Sequence, residues 1–86
     1  MVTFIFHEDP GHAWLQVSHS DLLDVEMNEK DFSQYSYYMG ENVYLEEDSD
    51  AGKFIRAYEE KHGFKPDFIE SYQENTPIRE YDRLPA

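Results

Sequence analysis

The stretch from Val43 to Gly63 constrains the chain most, because it joins a strand pattern to a long helical pattern through a dense acidic turn. Val43 and Leu45 alternate with Tyr44 and Glu46 at the period of a strand with one buried face, and the alternation stops at Asp48, Ser49 and Asp50. Ala51, Phe54, Ile55 and Tyr58 then fall at i, i+3, i+4 and i+7, one apolar stripe, with Lys53, Arg56, Glu59 and Glu60 elsewhere around the axis. Lys61 and His62 suit the negative end of the helix dipole, Gly63 is the expected left-handed cap, and Pro66 forbids continuation.

Upstream, Val2 to Phe6 reads as a strand with Phe4 and Phe6 on one face and Thr3 and Ile5 on the other. Asp9, Pro10 and Gly11 predict a reversal, so His12 to Val17 returns antiparallel with Ala13, Leu15 and Val17 on one face. Trp14, on the opposite side, either covers an open sheet face or enters a second packing layer. Ser18 and Asp21 have capping-box spacing, with Ser20 as a competing cap, which predicts a short helix from His19 to about Val25 anchored by Leu22 and Leu23.

Glu26 to Asp31 reads as a loop, Phe32 to Met39 has strand composition, and Gly40, Glu41 and Asn42 turn it back into the strand at Val43. After the long helix, Phe64 to Tyr72 predicts a strand returning to the sheet, and IREYDRLPA either packs Ile78 and Tyr81 or runs loose. The expected architecture is α+β. A single domain over residues 1–86 carries a largely antiparallel, four- to five-stranded sheet with one long helix on one face, one short helix, and the other face free to remain open.

Charge limits function more than motifs do. Nineteen acids against seven bases give a net charge of −12. Residues 1–50 hold twelve acids and Lys30 alone, a balance of −11, whereas residues 51–86 hold seven acids and six bases, a balance of −1. Such a surface repels nucleic acid and anionic membranes, so neither is expected to bind directly and a basic protein is the favoured partner. An acidic balance also simply aids solubility. The chain has no cysteine, which excludes thiolate metal sites and cysteine nucleophiles, and Phe4 to Phe6 is too short an apolar run for a leader or a membrane span. A soluble cytoplasmic protein is expected.

No catalytic signature stands out. Counting Asp48 as the first position of a calcium loop puts Glu59 twelfth, but Gly52 falls at five and Lys53 at six, where glycine is required, and a strand precedes the turn in place of a helix. Asp48, Ser49 and Asp50 have an ordinary use as caps for the helix that follows. His7, Glu8, Asp9 and His12 contain metal-ligating types without a helical HExxH arrangement, Ser18, His19 and Asp21 are contiguous rather than convergent, and no glycine-rich phosphate loop is present. Neither a cofactor nor a metal is expected, and the chain is read as non-enzymatic.

Recognition remains. Glu8, Asp9, Asp21, Asp24, Glu26, Glu29, Asp31, Glu41, Glu46, Glu47, Asp48 and Asp50 form an acidic patch if the fold gathers them, able to occupy a groove built for phosphates. Tyr35, Tyr37 and Tyr38 cannot share one strand face, so at least one is expected to be exposed as an interface anchor, and Tyr37 is assigned to the partner surface.

The segments DPGHAWLQV (Asp9 to Val17), QYSYYMG (Gln34 to Gly40), VYLEEDSDA (Val43 to Ala51) and TPIREYDRL (Thr76 to Leu84) resemble a group of small proteins carried by phages, prophages and conjugative plasmids. The resemblance covers most of the chain and carries over no site residue. It implies a setting in which short acidic proteins act against host CRISPR or restriction systems, sometimes as nucleic-acid mimics. The leading expectation is therefore an anti-CRISPR or anti-restriction inhibitor that binds a basic, nucleic-acid-handling host protein, such as a CRISPR effector or restriction enzyme. The alternatives are an interaction module or homodimer using the tyrosine-rich hairpin, and a small metal-dependent enzyme centred on His7 and His12.

Overall fold

A computed structural model describes residues 2–84. Six strands form one mixed sheet: β1 (Thr3–Glu8), β2 (Ala13–Ser18), β3 (Tyr37–Met39), β4 (Asn42–Glu46), β5 (Asp67–Tyr72) and β6 (Asp82–Arg83), in the spatial order β5-β1-β2-β4-β3-β6. Helices α1 (His19–Asp24) and α2 (Asp50–His62) and single 3-10 turns at Glu29–Asp31 and Pro77–Glu80 complete the chain. No described helix is long and apolar enough to cross a membrane.

The β1–β2 reversal is built on Asp9, whose Oδ1 accepts the N–H groups of Gly11 (3.0 Å) and His12 (2.9 Å). α1 starts at Ser18, with the reciprocal box completed by Asp21: Asp21 N–H donates to Ser18 Oγ and Ser18 N–H to Asp21 Oδ2. Leu22 is buried, but Leu23, expected beside it as an anchor, is exposed. A six-residue helix turns only one narrow stripe inward, and i, i+1 neighbours cannot share it.

α2 buries Ala51, Phe54 and Tyr58 against Phe4, Leu15, Val17, Val43 and Leu45 of the sheet, with Phe4 meeting Phe54 and Tyr58 edge-on. Its end is capped by Gly63 at φ 80°, where a left-handed turn favours glycine. Because α2 carries the chain back along the sheet, β5 re-enters parallel to β1, two strands beyond β4. The other four pairings are antiparallel.

Three expectations change. The sheet has six strands rather than four or five, since the C-terminal segment adds β6 beside β3. Of Phe32 to Met39 only Tyr37–Met39 is strand: Phe32 turns into the helix-side core, while Ser33 and Ser36 turn toward α2. The second sheet face is covered rather than open, because Ile78 and Tyr81 pack over Trp14, Tyr37 and Tyr44, making Trp14 the centre of a second apolar layer. The tail thus packs as far as Leu84; Pro85 and Ala86 lie outside the described residues.

Asp50 holds these pieces together. Its Oδ2 accepts from Ser33 N–H (2.9 Å), Ser33 Oγ (2.7 Å) and Ser36 Oγ (2.5 Å), and Ser36 Oγ in turn accepts Glu46 N–H (2.9 Å). Asp50→Ala strips three donors of their acceptor in a buried site, so chemical denaturation should show a loss of about 3–4 kcal/mol.

At the other end, α1 closes with a Schellman pattern: Glu26 N–H donates to the Leu23 carbonyl and Met27 N–H to that of Leu22, with Glu26 at φ 60°. A residue with a Cβ is strained in that left-handed conformation, whereas glycine is not. Glu26→Gly should stabilise the fold by about 0.5–1 kcal/mol, measured the same way.

Candidate protein-binding surface

The C-terminal ends of β1, β4 and β5 lie at one end of the sheet, where register places Tyr72 beside Glu8, Glu70 beside Phe6 and Glu46 beside Trp14. Glu47 follows β4 and donates its N–H to the Ala13 carbonyl, which sets Glu47 and Glu8 on either side of Ala13. Glu8 and Glu70 thus adjoin on neighbouring strands, with Glu47 across Ala13 at the same end of the sheet. Partial burial, the charge of Glu70, a hydrogen bond shared with it and the charge of Glu47 all raise the Glu8 carboxyl above its ordinary value. Among the described residues no lysine or arginine forms an ion pair with any of the three. Glu74 extends the group and accepts a hydrogen bond from the Tyr72 hydroxyl at 3.1 Å.

Beside this cluster, on the second sheet face, a cleft of about 600 Å³ is lined by His12, Trp14, Tyr35, Tyr37, Glu46, Asp48, Ser49, Arg79 and Arg83. Arg79 lies over the Trp14 ring (5.4 Å) and Arg83 over Tyr37 (5.3 Å). Glu46 is half-buried here, and burial together with the neighbouring Asp48 raises its carboxyl even though it accepts the N–H groups of Asp48 and Ser49. Glu46 thereby holds the turn ahead of α2, whereas the helix-capping bond expected of Asp48, Ser49 or Asp50 is not made at the N-cap Ser49.

The expected acidic surface divides. Glu8, Glu46, Glu47 and Asp48 stand at this end. Asp9, adjacent to Glu8, is buried and held by Arg79, whose Nε and Nη2 donate to it at 2.6 and 3.0 Å. Those bonds, outweighing burial, and the turn N–H groups hold its carboxyl well below the usual range. Asp50 is fully buried and Tyr37 is buried beneath the C-terminal segment, so neither belongs to an exposed patch, nor does Asp9. The exposed member of the tyrosine group is Tyr35, at 62%.

The remaining acids lie toward the opposite end, most of them engaged locally. Asp21 closes the α1 capping box, and Asp31 accepts Asn28 N–H in a second one. Glu29 pairs with His19 at 2.6 Å, raising that imidazole's affinity for its proton. Asp24 bonds His62 (2.6 Å) and Lys61 (3.1 Å), which together lower its carboxyl and tie α1 to the end of α2. Glu26 and Glu41 are exposed.

Glu70, Glu74 and Tyr72 were not legible as site residues, because they belong to the nearly neutral second half of the sequence and reach the cluster only through the parallel placement of β5. His7 hydrogen-bonds Gln16 (2.6 Å), and His12 stacks on Trp14 and accepts from Arg79 (2.7 Å). Among the described residues no group of three or more His, Asp or Glu side chains is placed to hold a metal ion. The chain matches no protein-family model, no curated protein and no solved structure.

The raised Glu8 carboxyl has a definite sign. A carboxyl that binds its proton more tightly in the folded state adds stability on acidification and loses it as pH rises through the raised value. Glu70→Gln should therefore bring Glu8 down toward its ordinary range of about 4.3 in an NMR titration. It should also raise the thermal midpoint near neutral pH more than at about pH 4.

Proposed function

We propose that the chain is a non-enzymatic anti-defence inhibitor, acting in the host cytoplasm on a basic, nucleic-acid-handling protein of the CRISPR-effector or restriction-enzyme kind. The binding surface in this reading is the acidic end of the sheet, with Glu8, Glu47 and Glu70 at its centre and Glu46, Asp48 and Glu74 around it. The observation that carries it is the gathering of Glu8, Glu70 and Glu47 from separate segments at one end of the sheet with no lysine or arginine paired to them among the described residues, the charges of Glu70 and Glu47 adding to burial in raising Glu8. Closely spaced uncompensated carboxylates suit a groove lined with lysine and arginine, and they favour fast, salt-sensitive association. Exposed Tyr35 at the rim of the adjacent cleft supplies an aromatic contact. The hairpin-mediated homodimer loses support, since Tyr37 and Tyr44 are already buried within the chain.

The test compares two charge-matched variants in capture from host lysate at low and near-physiological salt, with competing DNA added. Glu8→Gln/Glu47→Gln/Glu70→Gln should weaken capture of a basic protein by about tenfold or more at low salt and flatten the salt dependence. Glu26→Gln/Glu41→Gln/Glu60→Gln, which removes the same charge elsewhere, should leave capture nearly intact. Equal losses would reduce the acidic end to a share of net charge, and capture indifferent to salt and DNA would remove the inhibitor reading.

A further inference from the structure

The two edges of the sheet are unlike. β6 is two residues long, short enough to offer little to a neighbouring strand. β5 is six residues long, with neither proline nor lysine, and almost every residue in it is exposed. Its inward bonds fix which groups face out: Asp67 N–H donates to the Val2 carbonyl and Gln73 N–H to that of Glu8. Since backbone direction alternates along a strand, Phe68, Glu70 and Tyr72 present their N–H and C=O groups to the open edge.

The side chains there are apolar on both faces. Phe68 (38% exposed) and Tyr72 (60%) project on the α2 side and Ile69 (57%) on the other. Glu70 stands between Phe68 and Tyr72, with Glu8 on the neighbouring strand and Glu47 beyond it. Such an edge is a template for another strand, and proteins that do not use theirs blunt it with proline, lysine or a bulge.

We propose that β5 is a docking edge for an extended segment of a basic partner, which adds as a seventh strand. The segment places lysine or arginine opposite Glu70 and apolar side chains opposite Phe68, Ile69 and Tyr72. Backbone pairing to Phe68, Glu70 and Tyr72 supplies affinity, and the order apolar, basic, apolar on one face of the segment, with an apolar residue on the other, supplies selectivity. A second copy of this chain fits poorly. With sheet faces matched about a two-fold axis, the central registers of a β5 pair set Glu70 against its own copy, Phe68 or Tyr72, none of which supplies a cation, between chains of net charge −12. This proposal rests on the reading of the chain as a binder of basic proteins and adds the place and manner of contact.

The test uses three synthetic peptides of identical charge: Ser-Val-Val-Lys-Val-Val-Ser, which sets its lysine opposite Glu70 and valines opposite Phe68 and Tyr72 on the same face, and two versions of it N-methylated on alternate residues, one along each backbone edge. All three are titrated into the isotope-labelled protein. The unmodified peptide should shift β5 resonances and slow hydrogen exchange at the amides of Phe68, Glu70 and Tyr72, and N-methylation on the pairing edge should weaken binding about tenfold or more. Glu70→Pro removes an outward N–H without touching a bond to β1, so it should abolish binding while Asp67 and Gln73 remain protected; Glu70→Gln should retain most of it.

Equal binding of all peptides would overturn strand addition and leave charge attraction standing. No binding by any peptide would count against both readings. A dimer of the free protein in sedimentation, with the β5 amides already protected, would overturn the proposal in favour of the second copy.

Discussion

One buried carboxylate organises the half of the structure that local sequence patterns do not. Asp50 opens α2, yet its charge is spent on the loop ahead of β3, where one oxygen collects a backbone N–H and two hydroxyls from Ser33 and Ser36. A buried carboxyl group without such donors carries a desolvation penalty, so the loop closes around it. Closure has two further results. Ser36 Oγ takes up the N–H of Glu46 at the end of β4, and the Ser36 carbonyl accepts the N–H of Leu84, drawing the C-terminus across the sheet. The path of β3, the entry of β6 and the roof over Trp14 all follow from where this loop is pinned.

The parts legible in sequence were those whose cause is local. The stripe of α2 and its glycine cap and the Ser18–Asp21 box depend on neighbours within one or two turns, and each appears as read; β4 is a strand where its alternation put one, but Tyr44, expected on the open face, is buried by the C-terminal segment. What failed depends on contacts far apart in sequence. Phe32 to Met39 has strand composition, but its serines have a stronger commitment to Asp50, some fourteen to seventeen positions away. Tyr37 alternates as an edge residue should, and nothing nearby announces that Ile78 and Tyr81 will cover it. Asp50 itself looked like any other member of an acidic turn; only the presence of two hydroxyls at the right distance separates a buried hub from a surface cap.

Charge in the first half of the chain overstated the acidic surface, and charge in the second half understated it. Asp9, Asp21, Asp24, Glu29, Asp31 and Asp50 are engaged in turns, caps, ion pairs or a buried network, where each has a structural partner. A carboxylate so engaged has little left to offer another protein. Conversely, Glu70 and Glu74 come from a segment that is nearly neutral, and β5 delivers them to Glu8 only because α2 makes it parallel to β1. Counting acids along a sequence therefore measures the supply of charge and not its exposure.

Glu8 and Asp9 show the difference at adjacent positions. At the end of β1 the chain turns, so Asp9 points back to Arg79 and the Gly11 and His12 amides, and its proton is held loosely; Glu8 faces Glu70 and Glu47, and its proton is held tightly. The first arrangement lowers the energy of the fold at neutral pH and the second raises it. Folding alone would have no reason to bring three glutamates together from three segments without a cation, since neutral residues at those positions would pair the same strands with less repulsion. At the rim of an exposed apolar strand edge, burial and the neighbouring Glu70 charge on Glu8 oppose stability in the free chain at neutral pH, and in the proposed complex a lysine or arginine set opposite Glu70 would replace that like-charge contact with an attraction.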